Sequence, residues 1–165
     1  MITFAKKYFM RTEDRIKSTE THQFRMVMPQ TLNDNGNLFG GTAMQWMDEV
    51  AYITALRFTR MKVVTVAVEN LKFKKAIKPG SMAEIIGRVL VARRVKITIQ
   101  VEIYVENTDS DFREKAVEAV FTFAAVNHEN KPVCIDHNVR FEPNKKHAYA
   151  LAENEAEGLL KPTGN

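Results

Sequence analysis

The stretch from Asn33 to Val50 reads NDNGNLFGGTAMQWMDEV, and its interpretation decides the fold. Asn33, Asp34, Asn35, Gly36 and Asn37 suit tight turns and left-handed backbone, and they lead through Phe39 into the pair Gly40 and Gly41. From Thr42 to about Phe58 there is neither Gly nor Pro, and Ala, Met, Gln, Leu and Glu favour helix, so the sequence predicts a long helix there. Gln45, Asp48, Glu49 and Tyr52 fall at i, i+3, i+4 and i+7 and make one polar stripe. Ala43, Trp46, Met47, Val50, Ile53 and Ala55 cover most of the remaining circumference, so the helix is expected to be largely buried.

Upstream, residues 18–28 mix polar and apolar side chains without helical spacing and are closed by Pro29, which predicts a first strand. Downstream, strand-like segments are expected at 62–74, 82–92, 94–106 and 115–127, with breaks at Lys78, Pro79 and Gly80 and at residues 107–111. In the third of these, Val95, Ile97, Ile99, Val101, Ile103 and Val105 alternate with polar residues, the period of two that belongs to a sheet with one buried face. One strand, one buried helix and four further strands give an α+β fold, an antiparallel β-sheet curled around a long central helix. Residues 1–17 read as a lead-in, 18–140 as a single domain, and 141–165 as a C-terminal surface helix, running from Pro143 to Leu160, with a fraying tail.

The 165 residues suffice for one core, and 45% hydrophobic with 27% charged residues excludes a disordered or fibrous chain. Apolar runs are broken well before the ~20 residues of a membrane span, and the N-terminal MITFAKKYFMRTEDR lacks an apolar signal core. A single cysteine, Cys134, allows no internal disulfide and has no neighbours at metal-ligand spacing. The expectation is therefore a cytoplasmic protein with no metal, no cofactor and no membrane partner. The net charge of +4 is concentrated in two groups, Lys72, Lys74, Lys75 and Lys78, and Arg88, Arg93, Arg94 and Lys96. Either group could meet phosphates, or could be the solvated edge of a sheet. Without an aromatic-rich recognition motif, no nucleic-acid partner is expected.

Paired glycines at a helix start let a substrate approach backbone N–H groups that have no partner inside the helix, which is the raw material of an oxyanion hole; they can equally just turn the chain. Asp48 lies eight residues after Gly40, ~12 Å further along the same helix at ~1.5 Å per residue. One carbonyl cannot touch both. If both act, they come from different copies of the helix, and a two-fold dimer with antiparallel helices pairs Gly40 of one subunit with Asp48 of the other. The alternative is that Asp48 and Glu49 are only the wet face of an amphipathic helix. A carboxylate and an oxyanion hole without a Ser-His or Cys-His pair suit thioester hydrolysis, because a thiol with a pKa near ~8.5 leaves without a strong general acid.

The chain resembles the acyl-CoA thioesterases of the hotdog superfamily, in the branch of bacterial short acyl-CoA hydrolases and brain-type acyl-CoA hydrolase. The resemblance covers most of the chain: VMP at 27–29, N-x-x-G-x-x-F-G-G from Asn33 to Gly41, GGTAMQWMDEVA from Gly40 to Ala51, VVTVAVE from Val63 to Glu69, and FTFAAVN followed by the Lys-Pro pair ending at Pro132. It implies a homo-oligomer, at least a dimer and often a trimer of dimers, that hydrolyses fatty acyl-CoA to free fatty acid and CoA. It also implies Asp48 as general base or nucleophile, Asn33 as its paired asparagine and Gly40 as oxyanion donor. For substrate binding the resemblance points to Gly41 as a neighbouring donor and to Thr65 in the channel wall; Arg88, Arg93 and Arg94, from the second basic group, are candidates for the coenzyme phosphates. The competing reading is a module that binds acyl-CoA without cleaving it. The sequence departs from relatives at Phe39, where many have the histidine that hotdog hydratases use as base, so dehydration is not expected. It departs also at Ala76 in place of proline, at Gly80 and Ser81 in place of Gly-Asp, and at ARRVK, residues 92–96, in place of a Gly-Thr-Ser turn.

Overall fold

In the computed structural model, residues 12–135 are described. Residues 1–11 of the lead-in and the C-terminal helix and tail expected at 141–165 lie outside them. The order of elements is α1 (Thr12–Ser18), β1 (Thr21–Met26), a 3-10 turn (Pro29–Thr31), α2 (Gly40–Thr59), β2 (Val63–Phe73), β3 (Met82–Arg93), β4 (Lys96–Glu106) and β5 (Arg113–Ala125).

The predicted helix is α2, and it starts two residues early, because Phe39 is extended and acts as the N-cap while Gly40 and Gly41 are already helical. It ends where Arg60 turns left-handed (φ 55°) and donates its N–H to the Leu56 carbonyl. The buried face comprises Ala43, Trp46, Met47, Val50, Ala51, Thr54, Ala55 and Phe58, whereas Ile53 is only half-buried. Thr54 and Thr59 sit in the core at no cost in unpaired hydroxyls, since each donates to the carbonyl four residues back, Val50 and Ala55, at 2.7 and 2.8 Å.

Five antiparallel strands form one sheet in the order β1-β3-β4-β5-β2, so β1 and β2 are its edges. Ile97, Ile99, Val101 and Ile103 on β4 are fully buried on the face that holds α2, each worth about 1.5–3 kcal/mol of burial. Gly87 on β3 sets how near the helix comes: a Cβ there would stand 2.5 Å from Thr54 Oγ1 and 3.0 Å from a Val50 methyl. This is the hotdog arrangement expected from the sequence.

Several strand boundaries differ from expectation by one to three residues, and two of them have identifiable reasons. The first strand begins at Thr21 rather than Ser18 because the Ser18 and Thr19 hydroxyls fold back onto the Arg15 carbonyl (3.0 and 2.8 Å) and close α1. The fourth begins at Lys96 rather than 94 because Arg94 is left-handed (φ 49°) in the tight β3–β4 turn. The sheet face away from α2 carries a continuous ionic ribbon. Buried Glu102 accepts from Arg88 at 3.0 Å and Lys115 at 2.7 Å, and Glu118 meets Lys74 at 2.9 Å and Lys115 at 3.0 Å. Lys74 and then Lys115 hold the Glu118 carboxyl down at about 2. Among the described residues no helix is long and apolar enough to cross a membrane.

Candidate active site

The loop before α2 is built around the Asn33 carboxamide. Its Oδ1 accepts from the backbone N–H of Asn35 (3.0 Å) and of Asn37 (3.2 Å), while the Asn33 N–H donates to the Asn37 carbonyl at 2.8 Å. Gly36, at φ 68°, makes the tight turn and donates to the Asn33 carbonyl at 2.9 Å. With its oxygen committed to the loop, Asn33 has its Nδ2 to offer a ligand. The loop is tied down by Leu38 N–H to the Ile77 carbonyl and Phe39 N–H to the Thr31 carbonyl, both 2.8 Å.

At the start of α2 no side chain caps the helix and no acidic residue sits in the first turn, so the first N–H groups keep their positive end free for an anion. Gly40 lines a cavity of about 380 Å³ together with Asn33, Asn37, Phe73, Lys74 and Lys75. A Cβ on Gly40 would stand 3.3 Å from the Phe73 ring, inside that space. Gly41 differs: a Cβ there would stand 2.5 Å from the ring of Phe39, so its bareness accommodates Phe39, and it is not part of the cavity wall.

Asp48 is exposed, two turns further along α2 and outside this cavity. Its Oδ1 accepts from Thr65 Oγ1 at 3.3 Å, which brings the predicted channel residue to the predicted carboxylate. Thr65 lies on edge strand β2 among the exposed Val64, Val66 and Val68. Neighbouring Glu49 is instead held by Arg25 at 2.7 Å, and the Arg25 guanidinium lies 5.9 Å from the Trp46 ring centre. Within one subunit the structure thus brings together Asn33 and Gly40, brings together Asp48 and Thr65, and keeps the two pairs apart.

The three arginines lie elsewhere. Arg88 projects from the sheet face away from α2, where Glu20 (2.7 Å) and Glu102 (3.0 Å) hold it. Arg93 and Arg94 flank the β3–β4 turn, where the Arg94 carbonyl accepts from Ile135 N–H at 2.6 Å. Sequence reasoning did not single out Asn37 or Phe73 for the site, nor place Lys74 and Lys75 on it; the first stands inside the decisive stretch, and the others follow one another at the end of β2. Among the described residues no group of three His, Cys, Asp or Glu side chains is placed to hold a metal ion.

Comparison with known proteins bears on this geometry. The family description "Thioesterase superfamily" matches residues 35–111. The chain is 38% identical to an uncharacterized acyl-CoA thioester hydrolase of Haemophilus influenzae over 109 residues, 64% of this chain and 71% of that protein. An acyl-CoA hydrolase from Staphylococcus aureus, solved with butyryl coenzyme A and coenzyme A, is similar with a TM-score of 0.70 and 25% identity, over 88% of this chain and 98% of that one. A hexameric broad-specificity acyl-coenzyme A thioesterase, solved as an aspartate-to-alanine variant, is similar with a TM-score of 0.66 and 34% identity, over 81% of this chain and 96% of that one. The family match takes in the end of the loop after Asn33, the helix and strands β2 to β4, and the identity extends over most of a relative's length: the chain belongs to the thioesterase superfamily.

Proposed function

We propose that the protein hydrolyses acyl-CoA thioesters to free fatty acid and coenzyme A at a site shared between two subunits. The observation that carries this reading is the division of labour within one chain. Asn33 and Gly40 line a cavity, while the carboxylate of Asp48 stands outside it beside an exposed strand edge. That edge, β2 with its outlying valines, offers unpaired backbone groups to a second copy. A two-fold axis with antiparallel helices sets Asp48 of the partner subunit against Gly40, closing the ~12 Å gap that one helix leaves open.

In the reaction, the thioester carbonyl oxygen points at the Gly40 N–H, where negative charge develops in the tetrahedral intermediate. Asp48 takes a proton from water that attacks the carbonyl carbon, or attacks it directly to give an anhydride that water opens. Asn33 Nδ2 orients the water or the carboxylate. The C–S bond breaks, and the thiolate leaves and is protonated as CoA. Thr65 keeps the Asp48 carboxylate in one orientation. The family relatives matched are hydrolases, and nothing in the site favours a module that only binds acyl-CoA. A trimer of dimers agrees with the hexameric relative, and an acyl-CoA substrate with a free Cys134 thiol suits the cytoplasm.

The test is thiol release from an acyl-CoA panel, followed by subunit mixing. Asn33→Ala and Asp48→Asn homo-oligomers should each be nearly inactive, and heterodimers of the two should regain activity because one of their two sites is intact. Verified heterodimers that stay inactive would overturn the shared site, and absence of thiol release across acetyl to palmitoyl substrates would overturn the activity.

A further inference from the structure

Coenzyme A carries a pyrophosphate and a ribose phosphate beyond its thiol arm, and a cavity of about 380 Å³ holds the thioester and its neighbouring atoms but not the nucleotide. The phosphates must therefore meet the protein at the cavity mouth. One wall of that cavity is the segment after β2, residues 74–77, and exposed Lys78 follows directly in the chain, so the run KKAIK carries three cations and no acid in five positions. It is positioned by backbone: the N–H groups of Lys74 and Lys75 both donate to the Ala116 carbonyl (2.8 and 3.2 Å), and the Ile77 carbonyl accepts from Leu38 at 2.8 Å. Lysine heads on this wall are therefore carried by a fixed main chain beside Asn33 and Gly40.

The ion pairs on these lysines grade from firm to absent. Lys74 meets Glu118 at 2.9 Å with its side chain 41% exposed. Lys75 meets Glu114 at only 3.5 Å, with both partners well exposed (60% and 38%), a contact of the kind that contributes little and is given up readily. Among the described residues no carboxylate lies within ion-pair distance of Lys78, which is exposed. The arginines compete poorly in the same subunit: Arg88 is held by Glu20 and Glu102 on the far face of the sheet, and Arg93 and Arg94 lie at the β3–β4 turn, off the cavity wall.

We infer that Lys75 and Lys78, with Lys74 behind them, form a cationic collar at the cavity mouth that binds the phosphates of the coenzyme A nucleotide. This rests on the acyl-CoA reading above and names the part of the protein that recognises the coenzyme rather than the acyl chain. Phosphate met by lysine as a point charge gives a contact sensitive to salt and tolerant of geometry.

The experiment compares each acyl-CoA with the matching acyl-pantetheine, which has the same reacting end and lacks the whole phosphorylated nucleotide. In the double variant Lys75→Ala/Lys78→Ala, KM for acyl-CoA should rise about three- to tenfold, kcat should hold, and the advantage of acyl-CoA over acyl-pantetheine should shrink by the same factor. The rise of KM with added KCl should flatten, and Lys75→Arg/Lys78→Arg should restore both behaviours. An unchanged ratio between the two substrates overturns the collar, as does a ratio that collapses instead in Arg93→Ala/Arg94→Ala, which would place the phosphates on the partner subunit's turn. If wild-type protein releases no thiol, the hydrolase reading fails separately. The collar is then judged by calorimetric titration with CoA alone, where equal affinity of wild type and double variant overturns it.

Discussion

The outer face of the sheet and the exposed stripe of α2 are both charged, but the stripe holds one carboxylate, Asp48, in a state that the carboxylates of the ribbon do not share. On the sheet, Glu102 is met by Arg88, Lys115 and the Tyr104 hydroxyl, Glu118 by Lys74 and Lys115, and Glu84 by His22 and Arg113. On the helix, Glu49 has Arg25, while the hydrogen bond to Asp48 comes from a neutral hydroxyl. A carboxylate surrounded by cations is neutralised and fixed, and its work is to join strands. One left beside a neutral hydroxyl at an open edge stays available to a ligand.

The largest effect that follows separates two neighbours on one turn. Asp48→Asn should lower kcat by about 10²–10⁴, the range for loss of a general base, with no change in melting temperature, while Glu49→Gln should change kcat less than about threefold. Steady-state thiol release with a parallel thermal melt reads both. Equal losses at the two positions would erase the distinction between a spent and an unspent carboxylate.

The next effect falls on stability. Glu102 is 5% exposed, and Glu102→Ala leaves the Arg88 and Lys115 cations without their shared partner. Because Arg88 keeps Glu20 and Lys115 keeps Glu118, that should destabilise the fold by about 1–2 kcal/mol. Urea unfolding measures it, and kcat of the folded fraction should stay near wild type. A collapse of kcat with unchanged stability would mean that the outer ribbon does more than join strands.

Thr65 lies between the two regimes. Thr65→Ala removes the hydroxyl that orients Asp48 and should lower kcat about tenfold, equivalent to about 1.4 kcal/mol, with KM little changed, and Thr65→Ser should recover most of the loss. No recovery by serine would reduce Thr65 to a β-branched edge residue.

How much of this was legible in the sequence follows from where the determining contacts lie. The helix, the sheet and the stripe from Gln45 to Tyr52 were readable because their patterns repeat within a few residues. The separation of Gly40 from Asp48 was readable because helix rise is fixed arithmetic, whereas Asn33 entered only through the resemblance. Arg88 was not, since its fate depends on Glu20 and Glu102, 68 and 14 positions away. The role of residues 74–78 was also hidden, because the carbonyl that positions them belongs to Ala116, the extra residue where the β4–β5 register shifts. Nor could spacing alone distinguish Gly40 from Gly41, whose difference lies in which aromatic ring stands over each.

The smallest effect concerns pH, and it tests whether the ribbon at the β1 edge is as closed as it looks. His22 places Nδ1 2.7 Å from Glu84 and Nε2 2.7 Å from Glu20. Carboxylates only accept, so both contacts are hydrogen bonds when both ring nitrogens carry protons, and the pair of carboxylates favours the imidazolium form. The hydrogen bond with Glu84 raises the His22 pKa, partial burial opposes the rise, and Glu20 adds to it. Because the folded-state pKa lies above the unfolded value of ~6.5, the stabilisation is complete below that value and is lost as pH climbs through the raised one. With the side chain 42% exposed, the contribution is at most about 0.5 kcal/mol. Wild type should therefore melt about 1–2 °C above His22→Gln at pH 5.5, and the gap should close towards pH 8.5. A gap that stays constant across this range would show that His22 acts through packing on β1 rather than through its charge.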